Sequence, residues 1–260
     1  MGLLPAPDRG FARPERAARW RGGDQVSLWR RALSEFIGTA FLVAGVVGSG
    51  IAAERRSADP GLQLLENSAA TGALLVALIL ALGPVSAAFN PVVTLAERLL
   101  GRVSTREAAA LAGTQILGGA VGAIAANLMF ALDGVTWSTQ HRDGAELVLA
   151  EVVASFGLVL IVLGTVLSGR VEHVALAVGG YIAAAYWFTS STSFANPAVT
   201  IARTLSDTFA GIAPASVGWF LLAQIVGTGI AVLAFRALHS ARPPVPGDAV
   251  PSPSGTETPR

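Results

Sequence analysis

Cysteine is absent from the 260 residues, and so is lysine; all eighteen basic residues are arginine. Without cysteine there is no disulfide framework, no thiolate metal site and no cysteine nucleophile. Charge is scarce as well. Only 13% of residues are charged, where an ordinary soluble domain carries about 25%. The net charge of +1 gives no footprint for a nucleic-acid partner. What fills the chain instead is apolar: 52% of residues are hydrophobic and the mean hydropathy is +0.58, a balance suited to a lipid bilayer as solvent.

Six apolar stretches are long enough to cross about 30 Å of hydrocarbon. They run near Ala32–Ala53, Ser68–Pro84, Ala108–Leu132, Ala145–Leu167, His173–Thr189 and Ala215–Leu238. Seven arginines precede the first, from Arg9 to Arg31, in a Pro- and Gly-containing segment that cannot build a core. The first run is too long for a signal peptide. Residues 1–27 read as a disordered cytoplasmic tail, and 241–260 as a second, Pro-rich one. With the N-terminus inside, Arg98, Arg102, Arg106, Arg170, Arg236 and Arg242 also fall inside. Arg55, Arg56 and Arg142 fall outside, offset by acids. This obeys the positive-inside rule and predicts two cytoplasmic termini.

The chain repeats itself. Glu35 returns as Glu151 after 116 positions, Asn90-Pro91 as Asn196-Pro197 after 106, and Gln115 as Gln224 after 109. Residues 28–132 and 133–240 thus form two units of three spans each. An odd number of spans inverts the second unit relative to the first, and such repeats place their site near the midplane. Each Asn-Pro pair follows a stretch of small residues and opens an apolar run too short to span, Val92–Leu100 or Ala198–Leu205. Asn favours the N-cap and Pro the first helical turn, so plain capping explains one copy. Two copies in an inverted repeat predict half-helices meeting N-terminus to N-terminus. Non-helical backbone at that depth requires a protein interior or a water-filled cavity. Positive dipole ends and two Asn amides would repel cations and offer donors to a neutral solute.

The motifs Asn90-Pro91-Val92 and Asn196-Pro197-Ala198, set in this repeat, resemble those of the aquaporin, or major intrinsic protein, family. The resemblance covers about residues 31–239. It implies an all-α membrane protein of six spans and two re-entrant half-helices, assembled as a homotetramer of the plasma membrane with one pore per protomer. It also implies a passive channel for water or small neutral solutes, without cofactor or metal. Val92 stands where Ala is usual, adding two methyl groups beside the constriction.

Glu35 and Glu151 are lone carboxylates within spans. One reading makes them proton relays; the resemblance makes each a holder of a re-entrant loop. Gln115 and Gln224 lie among small residues, Gly118 and Gly122 forming a GxxxG pattern, which reads as close helix packing. Trp29, Trp137, Trp187 and Trp219 read as interface anchors, and His141 as a solvated loop residue.

Water-selective members carry Arg directly after the second motif; this chain has Val199. By the same resemblance the remaining filter positions fall at Thr71, Ala184 and Ser193. Small residues there predict a wide, less polar constriction that admits glycerol, urea or undissociated hydroxides such as arsenous acid. The run Val199 to Arg203 is similar to a bacterial subgroup linked to metalloid permeation. Arg203, four residues beyond Val199, is either a displaced filter cation or an interfacial partner of Asp207. A strict water channel and a coupled secondary transporter are the alternatives. An intramembrane enzyme would need a nucleophile and base, and the three histidines all fall in loops or at span ends.

Overall fold

The computed structural model describes residues 26–239. Both tail assignments otherwise lie outside the described residues. Eight helices follow one another: α1 (Leu28–Arg56), α2 (Pro60–Leu82), α3 (Pro91–Leu99), α4 (Thr105–Met129), α5 (Ala145–Leu167), α6 (Val174–Phe188), α7 (Pro197–Ala202) and α8 (Pro214–His239). Short 3₁₀ turns, Val171–His173 and Arg203–Leu205, precede α6 and follow α7. Six of the helices, α6 taken with its leading turn, are long and apolar enough to cross a membrane, which makes this a multi-pass membrane protein.

Local chemistry sets the helix starts. Asp59 caps α2, accepting from the Gly61 and Leu62 amides at 2.7 and 3.2 Å, and Pro60 supplies the first turn. The second span therefore begins two turns before Ser68, because the cap lies in polar sequence that reads as loop. Ser104 and Glu107 form a reciprocal capping box at α4.

Packing follows the inverted repeat. Helix α1 lies on α4 and α5 on α8, while α2 of one unit lies on α6 of the other. The short helices α3 and α7 both wedge between α4 and α8. Glycine permits the close approaches. A Cβ at Gly118 or Gly122 would collide with the carbonyls of Phe36 or Ala40 on α1, and one at Gly227 with that of Val152 on α5. Gly72 and Gly179 oppose each other: a Cβ on either would lie 2.9 or 2.6 Å from the other's carbonyl oxygen.

The loop 130–144 packs on the chain that leaves α7. The Thr136 and Ser138 amides donate to the carbonyls of Leu205 and Thr204 at 3.0 and 2.9 Å, capping the exit of α7. Asn127 adds its side-chain amide to the Leu205 carbonyl at 2.9 Å.

Candidate functional site

Two buried carboxylates shape the turns that precede α3 and α7. Glu35, fully buried, accepts from Ser86 Oγ at 2.5 Å and from the amides of Ala88 and Phe89 at 2.9 and 2.6 Å. Glu151, also fully buried, accepts from the amides of Phe194 and Ala195, each at 2.9 Å. Gln115 Nε2 joins Glu35 to Thr94 (2.8 and 3.0 Å), and Gln224 Nε2 joins Glu151 to Thr200 (2.7 and 2.9 Å). These glutamines do more than pack helices. The signal was their common register with the glutamates, but their partners lie 80 and 73 positions away.

The carboxylates hold strained backbone. Phe89 and Ala195 sit at φ 48° and 45°, a left-handed region that non-glycine residues avoid. That turn aims each residue's N–H at its glutamate and its carbonyl towards the opposite loop. Asn90 Nδ2 donates to the Ala195 carbonyl and Asn196 Nδ2 to the Phe89 carbonyl, both at 2.8 Å. Each Asn also caps its own helix: Asn90 Oδ1 accepts from the Val92 amide at 3.0 Å, and Asn196 Oδ1 from Ala198 and Val199 at 3.0 and 3.3 Å. Two helix N-termini therefore meet head to head across two clasped loops.

Beside the clasp runs a narrow cavity of about 80 Å³. Asn90, Asn196, Thr71, Tyr186, Ser193 and Arg203 give it a polar side. Leu42, Val46, Leu158, Val162, Val178 and Val199 are among its apolar walls. Pro91, Val92, Pro197 and Ala198 do not line it. Val92 and Ala198 are buried behind the clasp, where the first turns pack on neighbouring helices, so the added methyls of Val92 fill packing rather than the passage.

Ala184 is a correction. It is exposed on the outside of α6; the residues of that helix facing the cavity are Val174, Val178, Ile182 and Tyr186, one per turn. Tyr186 occupies the position assigned to a small side chain, with its hydroxyl 3.2 Å from Thr71 Oγ1. The resemblance placed the position only to within the last turns of the span, and which face of α6 meets the cavity is set by its packing.

Arg203 makes no pair with Asp207. The helix ends at Ala202 and the chain extends at Ser206, so the four-residue spacing no longer puts both on one face. Asp207 instead accepts from the amide and hydroxyl of Thr139 at 2.8 and 3.0 Å. Arg203 is 2% exposed, donates Nε to the Ala210 carbonyl, and stacks on Phe194 with its Cζ 3.5 Å from the ring centroid. Arg142, from the loop 130–144, approaches the same ring at 5.0 Å. Burial lowers its guanidinium from the usual arginine value, opposed by Glu151 and Tyr186.

Residues 23–170 match the family model of the major intrinsic protein, more than half of the chain. The chain belongs to that family. It is 46% identical over 221 residues to the aquaglyceroporin AqpS of Rhizobium meliloti (strain 1021), covering 84% of this chain and 94% of the relative. Aquaporin A of Dictyostelium discoideum is 30% identical over 232 residues, covering 84% of this chain and 81% of the relative. The fold matches the X-ray structure of the aquaglyceroporin from Plasmodium falciparum with a TM-score of 0.67. That match is 17% identical in sequence and covers 80% of this chain and 96% of the other. This member of the major intrinsic proteins is a passive channel for water and small neutral solutes, and not an enzyme.

Proposed function

We propose that the pore passes solutes larger than water: glycerol, urea and undissociated metalloid hydroxides such as arsenous acid. The observation that carries this is Val199, which presents an apolar wall to the cavity directly after the second Asn-Pro-Ala. The same cavity is also lined by hydroxyl-bearing residues, Thr71, Tyr186 and Ser193. A solute with a carbon or metalloid centre and several hydroxyls uses both surfaces, whereas water uses one. Two relatives in sequence or fold are named aquaglyceroporins, which supports the reading.

In the same proposal Asn90 and Asn196 form the midplane constriction, Glu35 and Glu151 hold its loops, and Arg203 is the displaced filter cation. Residues 28–132 and 133–240 are the two inverted units. The channel works as a homotetramer in the plasma membrane with both termini cytoplasmic, which places the loop 130–144 and Arg203 at the outer mouth.

Stopped-flow light scattering of proteoliposomes tests it. Glycerol gradients should give shrinkage followed by rapid reswelling, and sucrose gradients shrinkage alone. One observation favours a strict water channel instead: Tyr186 fills space that an alanine would leave open, bridged to Thr71. Fast water flow without glycerol reswelling would establish that second reading. A coupled transporter would concentrate solute above its external level.

A further inference from the structure

The outer mouth holds positive charge that the protein leaves without a counter-ion. Arg203 lines the cavity, yet among the described residues no carboxylate lies within ion-pair distance of it. Its Nε is taken by the Ala210 carbonyl. Its two Nη groups meet no acceptor among the described residues. Arg142 also lies over the Phe194 ring and gives Nε and Nη2 to the carbonyls of Gly211 and Phe209, at 2.8 and 3.3 Å. Three successive carbonyls, 209 to 211, are thus already engaged, and Asp207 is turned onto Thr139. Ser193 lines the same cavity at 3% exposure, and its buried hydroxyl also lacks a partner. Phe194, on which Arg203 stacks, is the next residue in the chain.

A buried hydroxyl without a partner is costly unless a ligand meets it, and Arg203, held by the Ala210 carbonyl and Phe194, keeps both Nη groups for a ligand in the cavity. The donors define that ligand. A guanidinium offers a planar fork that matches two oxygens, and the Ser193 hydroxyl offers a third donor. We infer that Arg203 and Ser193 form a binding site for a small planar monovalent oxyanion, such as nitrate or formate, which obstructs the solute path while bound. The apolar wall at Val199 disfavours strongly hydrated dianions, which would have to shed more water to enter. Nothing drives the anion onward, because the pore beyond Asn90 and Asn196 offers no second buried cation on its lining. The obstruction rests on the solute-channel reading; the binding does not.

Two readouts separate them. The purified full chain in detergent is titrated with ¹³C-formate by saturation-transfer NMR, with nitrate as competitor. Glycerol flux is then measured in proteoliposomes with external nitrate against equiosmolar gluconate, which is too large to enter. Formate should bind, nitrate should displace it, and nitrate alone should slow glycerol flux reversibly. Arg203→Gln should weaken binding about tenfold or more, the worth of one charge-assisted contact. Ser193→Ala should weaken it about threefold to tenfold, the worth of one neutral hydrogen bond. If Arg203→Gln does not fold, Arg203→Lys keeps the charge without the fork and should still lose affinity. Absence of formate binding to the wild-type chain, or binding indifferent to both Arg203→Lys and Ser193→Ala, overturns the site. Binding without any glycerol flux upholds the site and overturns the solute reading.

Discussion

Asn90 and Asn196 hold each other's loops: each side-chain amide donates, at 2.8 Å, to the carbonyl of the residue preceding the other. Each also caps its own half-helix. Asn196→Ala removes both functions, at about 1 kcal/mol for the cap and about 1 kcal/mol for the clasp. Asn196→Ser keeps a capping oxygen but cannot reach the Phe89 carbonyl, so it should lose about half as much. Thermal unfolding of the solubilised protein checks the ranking. Equal losses in the two variants would mean that the cap contributes nothing, and an undiminished Asn196→Ser would mean the same of the clasp.

Glu151 separates the loop-holding reading from the proton relay. Its carboxylate receives two backbone amides and Gln224. Glu151→Gln turns one acceptor oxygen into a donor facing a buried donor, a loss of about 2–4 kcal/mol. The variant should therefore yield less folded protein, and whatever folds should conduct with unchanged pH dependence. Under an imposed proton gradient, the wild-type channel should bring internal glycerol to the external level and no further. Accumulation beyond that level would revive the relay and the coupled transporter.

The legible part of this molecule was what repeats or persists locally. Six long apolar runs and the duplicated Asn-Pro announced the spans and the half-helices, and α5 spans Ala145–Leu167 in both readings. What stayed hidden depends on which way a helix face turns. The helix α6 is apolar nearly all round, so the column Val174, Val178, Ile182, Tyr186 could not be told from the lipid-facing one. The pairing of Arg203 with Asp207 assumed a continuous helix, which stops at Ala202. Gln115 and Gln224 were visible as a repeat, but their bonds to the glutamates required the α1–α4 and α5–α8 contacts that only the fold supplies.

Gly72 and Gly179 give the packing its sharpest test. Each would place a Cβ within 3 Å of the other's carbonyl oxygen, so Gly72→Val must push α2 from α6. A loss of at least about 2 kcal/mol is expected, as for an overpacked core. Gly113 is the control: it is exposed on α4, with nothing within 4 Å of an added Cβ. Gly113→Ala should stabilise by about 0.5–1 kcal/mol through helix propensity. If both variants shift the unfolding midpoint alike, the glycine contact is not what sets the approach of these helices.

Selectivity should follow the cavity wall at Val199. Val199→Arg places a long cation where the cavity is apolar, beside Arg203, and narrows the passage between them. Glycerol flux should fall at least about tenfold, equivalent to about 1.4 kcal/mol of added barrier, while water flux falls less, because water needs less width and accepts the new donors. Tyr186→Phe changes polarity while leaving width. It removes the hydroxyl bridged to Thr71 at 3.2 Å while keeping the ring, freeing Thr71 Oγ1 for solute. Its ratio of glycerol to water flux should stay within about fivefold of wild type if width decides selectivity, since one neutral hydrogen bond is worth only about 1 kcal/mol. Stopped-flow measurement of both ratios in matched proteoliposomes decides between width and polarity. A Val199→Arg channel with undiminished glycerol flux would show that the constriction lies elsewhere along the pore.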